Sequence, residues 1–76
     1  MTFDRIEVDP SRMGGLPTIR GTRVTVGMVL ELLAAGRTPE QVVDEYPYLD
    51  RADVLAALDY AAAVVNEREV TVSRPA

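Results

Sequence analysis

The chain reads Gly36-Arg37-Thr38-Pro39-Glu40-Gln41 at its centre, where one helix ends and the next begins. A glycine directly after an apolar helical run is the usual residue past a helix end, because it tolerates a left-handed backbone. Thr38 and Gln41 have the spacing of a capping box, and Pro39 suits the first helical position. This pattern predicts two helices joined by a very short turn.

The apolar residues on either side of this turn place the two helices. The first is expected from about Val26 to Ala35, with Thr25 as its N-cap. The second is expected to end at Tyr46, because the residue before Pro47 is disfavoured in a helix. A third helix is expected to begin at Asp50 and to bury the apolar stripe formed by Leu55, Leu58, Ala62 and Val65.

The N-terminal third has the patterns of extended chain. Residues 5–9 alternate polar and apolar side chains, as a half-buried strand does. Residues 16–24 form a second extended stretch, which Pro17 confines to a sheet edge. The fold class is therefore mainly α, with a helix-turn-helix-like unit of three helices preceded by a short N-terminal β-ribbon. We treat residues 1–76 as a single domain made of a ribbon and loop (1–24), a three-helix unit (25–67) and a C-terminal tail (68–76).

Composition argues against an enzyme. The 76 residues include no cysteine, histidine or lysine, so thiolate and imidazole metal sites, nucleophilic triads and a Walker-type phosphate loop have no residues to form them. The acid pairs Asp44/Glu45 and Asp50/Asp53 are more simply explained by helix capping and the helix dipole than by magnesium. We expect no catalytic residues, no metal and no cofactor.

Charge is unevenly distributed along the chain. Residues 1–37 carry five arginines and four acidic residues, whereas residues 38–76 carry three arginines and eight acidic residues. Arg12, Arg20 and Arg23 lie in a stretch without acids and are candidates for binding phosphate or carboxylate. The alternative is that Arg20 and Arg23 pair with Glu7, Asp9 or a helix acid.

The third helix is the element that would enter the major groove of DNA in a helix-turn-helix unit. Arg51 is the basic residue at its start, and it is the fourth candidate DNA-binding residue. Its neighbours Asp50 and Asp53 are acidic, which opposes the phosphate attraction that gives most of the affinity for DNA. We expect the three tyrosines to pack at the core edge: Tyr46, Tyr48 and Tyr60.

Residues 14–26 carry the block Gly14-Gly15-Leu16-Pro17-Thr18-Ile19-Arg20-Gly21-Thr22-Arg23-Val24-Thr25-Val26. The block resembles the G-x-P-x-I-x-G-T-R motif of the domain-of-unknown-function-433 (DUF433) family, and the similarity extends over roughly residues 5–62. The resemblance implies a homeodomain-like three-helix fold after a β-ribbon. It also implies an antitoxin encoded beside a PIN-type ribonuclease toxin, without catalytic residues of its own.

The leading hypothesis is a cytoplasmic antitoxin that neutralises a PIN-type ribonuclease and also binds operator DNA. The alternatives are a stand-alone helix-turn-helix DNA-binding regulator without a toxin and a structural adaptor. Self-association to a homodimer or higher oligomer is expected through the strand edges at Ile6, Val8 and Ile19, and no membrane contact is expected. The tail supplies the candidate toxin-binding residues, which are Arg68, Val70, Val72 and Arg74.

Overall fold

The computed structural model describes residues 3–67 and contains a two-stranded sheet followed by three helices. This architecture confirms the mainly α class with an N-terminal β-ribbon. The elements in chain order are β1 (Ile6–Val8), a short 3₁₀ helix (Met13–Gly15), β2 (Pro17–Ile19), α1 (Val26–Ala34), α2 (Pro39–Glu45) and α3 (Arg51–Glu67).

The β-ribbon is antiparallel, and Ile6 lies opposite Ile19 in its register. The prediction of a second extended stretch over residues 16–24 was too long, because β2 ends at Ile19. The backbone N–H of Ile19 donates to the carbonyl of Val24 at 2.9 Å, so residues 20–23 form a turn instead of continuing the strand. A further bridge between Thr18 and Thr25 continues this pairing to the start of α1.

The predicted helix caps are confirmed. The side chain of Thr25 accepts from the N–H of Met28 at 3.0 Å, and the sulfur of Met28 accepts from the Thr25 N–H. Thr38 and Gln41 form the predicted capping box, with bonds of 3.1 and 2.9 Å. All three helices therefore start with reciprocal side-chain bonds, and α3 begins with the corresponding pair of bonds between Asp50 and Asp53.

The end of α1 has the geometry that the central glycine predicts. Gly36 has a φ of +96°, in the left-handed region where a Cβ is strained. The N–H groups of Gly36 and Arg37 donate to the carbonyls of Leu33 and Leu32 at 3.0 and 3.1 Å. This pair of bonds is a Schellman motif, and it lets α2 begin within a few residues of the end of α1.

The core is small and draws on β2 and all three helices. Ile19 is only 2% exposed, so its side chain belongs to this core, while self-association through the strand edges at Ile6, Val8 and Ile19 stays a prediction. Val8, by contrast, is 56% exposed. The buried apolar residues are Ile19, Val24, Val26, Val29, Val42, Leu49, Val54 and Ala57.

The predicted buried stripe of α3 was wrong in phase. Val54 and Ala57 are the buried residues of this helix. Leu55 and Val65 are 43% and 66% exposed, and Leu58 is exposed as well. The sequence offers two apolar stripes on neighbouring sides of one helix, and the packing of α1 and α2 selects the one that contains Val54.

The phase of α3 predicts different effects for two adjacent substitutions. Val54→Ala removes two buried methyl groups and should lower the free energy of unfolding by about 2 kcal/mol. Leu55→Ala removes an exposed side chain and should change it by less than about 0.5 kcal/mol. Urea denaturation of both variants measures the difference. Equal losses would show that the side chain of Leu55 is buried as well.

Candidate functional site

An open polar cavity of about 940 Å³ lies between the turns of the ribbon and the turn that precedes α3. It contains three of the four arginines that the sequence analysis proposed for DNA binding. Its lining consists of Asp9, Ser11, Arg12, Met13, Arg20, Gly21, Thr22, Arg23 and Tyr48. Residues from three separate parts of the sequence therefore converge on one surface.

A turn after β1 positions Arg12. The carboxylate of Asp9 accepts from the hydroxyl of Ser11 at 2.7 Å and from its backbone N–H at 2.9 Å. These two hydrogen bonds, with the charge of Arg12 as a smaller contribution, hold the pKa of Asp9 below its ordinary value. Asp9 therefore stays ionised and fixes the turn, and the Arg12 guanidinium contacts Glu7 at 2.9 Å.

The turn at residues 20–23 positions the other two arginines. The hydroxyl of Thr22 donates to the Ile19 carbonyl at 2.8 Å and accepts from the Val24 N–H at 3.0 Å. Gly21 has a φ of +78°, which the tight reversal requires. The two ends of the turn are fixed because Ile19 and Val24 are buried, whereas Arg20 and Arg23 are exposed.

The ion pairs distinguish these two arginines from the rest. Within residues 3–67, no carboxylate lies within 4.0 Å of the guanidinium of Arg20 or Arg23. The alternative that they pair with Glu7, Asp9 or a helix acid is therefore not what the structure shows. The four other arginines in this range each contact an acid: Arg5, Arg12, Arg37 and Arg51.

Tyr48 was misassigned to packing at the core edge. Its side chain is 65% exposed and lines the arginine cavity. Tyr46 and Tyr60 do pack against the core. Tyr48 differs from the other two tyrosines in its position in the sequence. It follows Pro47 in the turn between α2 and α3, where no helical face orients a side chain inward.

Arg51 lies outside the arginine cavity. Its guanidinium contacts the carboxylate of Glu40 at 2.9 Å. At the same end of α3, Arg5 contacts Asp53 at 2.8 Å and Asp50 at 3.2 Å. The sequence analysis missed Arg5, although its place beside β1 and the acids at the start of α3 are the signal for such a contact.

A second concavity, the apolar groove, lies between β2, α1 and the C-terminal half of α3. Its volume is about 340 Å³. Val65, which lines it, is also part of the exposed stripe of α3. The groove is lined by Leu16, Pro17, Thr25, Val26, Gly27, Leu30, Tyr60, Ala61, Val64 and Val65.

The predicted toxin-binding residues Arg68, Val70, Val72 and Arg74 lie outside the described residues. In the part of the chain that the structure describes, no group of three or more acidic side chains is placed to hold a metal ion. No helix of that part is long and apolar enough to cross a membrane.

A family model described as "Protein of unknown function (DUF433)" matches residues 6–61. The chain belongs to the DUF433 family. The match spans the ribbon, all the residues that line the arginine cavity and most of α3. The resemblance of the block at residues 14–26 to this family is therefore confirmed. The antitoxin role that this resemblance implied is a proposal.

A relative from Sinorhizobium fredii, "Uncharacterized protein y4eO", is 41% identical over 54 residues. The alignment covers 71% of this chain and 24% of the relative. The chain thus corresponds to about a quarter of that protein, whose printed name gives no activity. No solved structure matches the chain.

The acids at the start of α3 predict a loss of stability at low pH. The N–H of Asp53, and to a smaller extent the charge of Arg5, lower the pKa of Asp50. A pKa that is lower in the folded state means that the unfolded chain binds protons first, so this stabilisation is present above the ordinary carboxyl pKa of about 4 and is lost below it.

The Asp50→Asn variant keeps a good N-cap but has no carboxylate to titrate. Its free energy of unfolding, measured by urea denaturation from neutral to acid pH, should fall less than that of the parent chain. Identical pH profiles for the two proteins would contradict the contribution of Asp50.

Proposed function

We propose that this DUF433 chain is a non-catalytic antitoxin that binds a PIN-type ribonuclease and blocks it. The observation that supports a protein partner is the apolar groove, which remains open at the C-terminal half of α3. The ribonuclease is the partner that the family resemblance implies. The groove and the tail that follows it are the surfaces that we assign to the contact.

The lining of the groove suits a protein better than a nucleic acid. Val65 is 66% exposed and Leu16 is 56% exposed, and no charged residue of the range 3–67 lines the groove. Burying an exposed side chain of this size is worth about 1.5–3 kcal/mol. An apolar side chain of a partner can gain this energy, whereas a phosphate backbone cannot.

The position of the groove connects it with the predicted toxin-binding tail. α3 ends at Glu67, two residues after Val65, and residues 68–76 follow. In the sequence, Val70 and Val72 have the spacing of a strand that can be added to a partner's sheet. Arg68 and Arg74 supply the charge that complements the carboxylate cluster of a metal-dependent nuclease.

The alternative function is a stand-alone helix-turn-helix regulator that reads DNA with α3. The start of α3 gives this less support, because Asp50 and Asp53 lie there and Arg51 already contacts Glu40. A helix that presents carboxylates at its N-terminal turn repels the phosphates on both sides of the major groove. Base reading by α3 would first have to overcome this repulsion.

Inhibition of the ribonuclease encoded beside this gene tests the proposed contact. Val65→Asp places a charge in the apolar groove and should weaken inhibition about tenfold or more, which corresponds to about 1.4 kcal/mol. The matched control Ala62→Asp adds the same charge to an exposed position of α3 outside the groove, and it should inhibit like the parent. Undiminished inhibition by a folded Val65→Asp variant would contradict the groove as the contact.

A truncation after Glu67 tests the tail separately. The shortened chain retains every buried residue of the described range 3–67, so its thermal unfolding should match that of the full chain. We expect it to lose most of its inhibition of the purified ribonuclease. Full inhibition by the truncated chain would place the contact on the helices alone.

A further inference from the structure

We propose that the arginine cavity is a phosphate-binding site and that its ligand is the backbone of double-stranded DNA. The site lies on the ribbon and its turns, not on α3. It shares no residue with the apolar groove, so it is independent of the ribonuclease contact. It gives the operator-binding hypothesis a specific surface.

This inference depends on which arginines form ion pairs with carboxylates. Of the six arginines in residues 3–67, four contact an acid within 4.0 Å. The two without such a contact, Arg20 and Arg23, are three residues apart on one turn and line one cavity. In a chain with a net charge of −4, two guanidinium groups that contact no carboxylate of residues 3–67 and line one cavity form a local site of positive charge.

The other groups in the cavity also suit phosphate. Guanidinium groups bind phosphate oxygens through parallel N–H donors, and the hydroxyl of Tyr48 adds a further donor on an exposed side chain. Among residues 3–67, Asp9 is the one acidic residue in the lining, and it opposes an anion. Its carboxylate is held in the turn by two hydrogen bonds from Ser11, and the guanidinium groups of Arg20 and Arg23 outnumber it.

The site is fixed before a ligand binds. The hydroxyl of Thr22 bonds to both ends of the turn, and the side chains of Ile19 and Val24 are buried at 2% and 1% exposure. Because the turn is already ordered, little backbone entropy is lost when a ligand binds to it. The cavity is open to solvent, which suits a chain of phosphates better than an enclosed small molecule.

Binding of a fluorescent DNA duplex of about 20–30 base pairs, measured by anisotropy across a range of salt concentrations, tests the proposal. The double variant Arg20→Ala/Arg23→Ala should bind roughly tenfold more weakly. Its plot of log affinity against log salt should be shallower by about two units, because two phosphate contacts are lost.

The control is Arg37→Ala/Arg51→Ala, which removes the same two charges from positions outside the cavity. Because the net charge changes equally, this variant should retain the affinity within about twofold and the same salt slope. Equal losses in both double variants would show that only overall charge matters, and would overturn the site. A larger loss in the control would assign DNA binding to the surface that carries Arg37 and Arg51 instead.

Titration with inorganic phosphate shows whether the cavity binds free phosphate or only the phosphate backbone of DNA. Backbone amide NMR signals of Gly21 and Thr22 should shift in the parent chain and not in Arg20→Ala/Arg23→Ala. If phosphate shifts these signals but the duplex does not bind, the cavity binds phosphate and DNA is not its ligand. If neither ligand changes the signals, the proposal is wrong.

Discussion

The turn between Ile19 and Val24 is the interaction on which the rest of the structure depends. Its two ends are joined by a backbone hydrogen bond of 2.9 Å, and both side chains are buried with Val29, Val42 and Val54. The turn therefore fastens the ribbon to all three helices. The same geometry directs Arg20 and Arg23 to the surface, so the element that completes the core also presents the two arginines that contact no carboxylate of residues 3–67.

Two surfaces with different chemistry result from this arrangement. The arginine cavity is polar and lies on the turns of the ribbon, whereas the apolar groove lies against the C-terminal half of α3. Because a small core leaves much apolar surface uncovered in a chain of this length, the groove gives a partner something to bury. The proposed ribonuclease contact and the proposed phosphate site therefore lie on surfaces that share no lining residue.

Local chemistry made part of this structure predictable from the sequence. Caps such as Thr38 and Asp50 act over three residues, so their partners are visible in the chain itself. The phase of α3 was not predictable in the same way, because Leu55 and Val54 are both apolar and only tertiary packing selects between them. Arg12, Arg20 and Arg23 were candidates because they lie in one stretch of sequence without acids, whereas the exposure of Tyr48 depends on the turn after Pro47.

The proposed ribonuclease and DNA contacts lie on separate surfaces. Amide hydrogen exchange of the full chain, measured alone, with a PIN-type ribonuclease that it inhibits and with a DNA duplex, tests this separation. We expect the ribonuclease to slow exchange at residues 60–67 and DNA to slow exchange at residues 20–23. Protection of the same residues by both partners, or protection of the start of α3 by DNA, would contradict it.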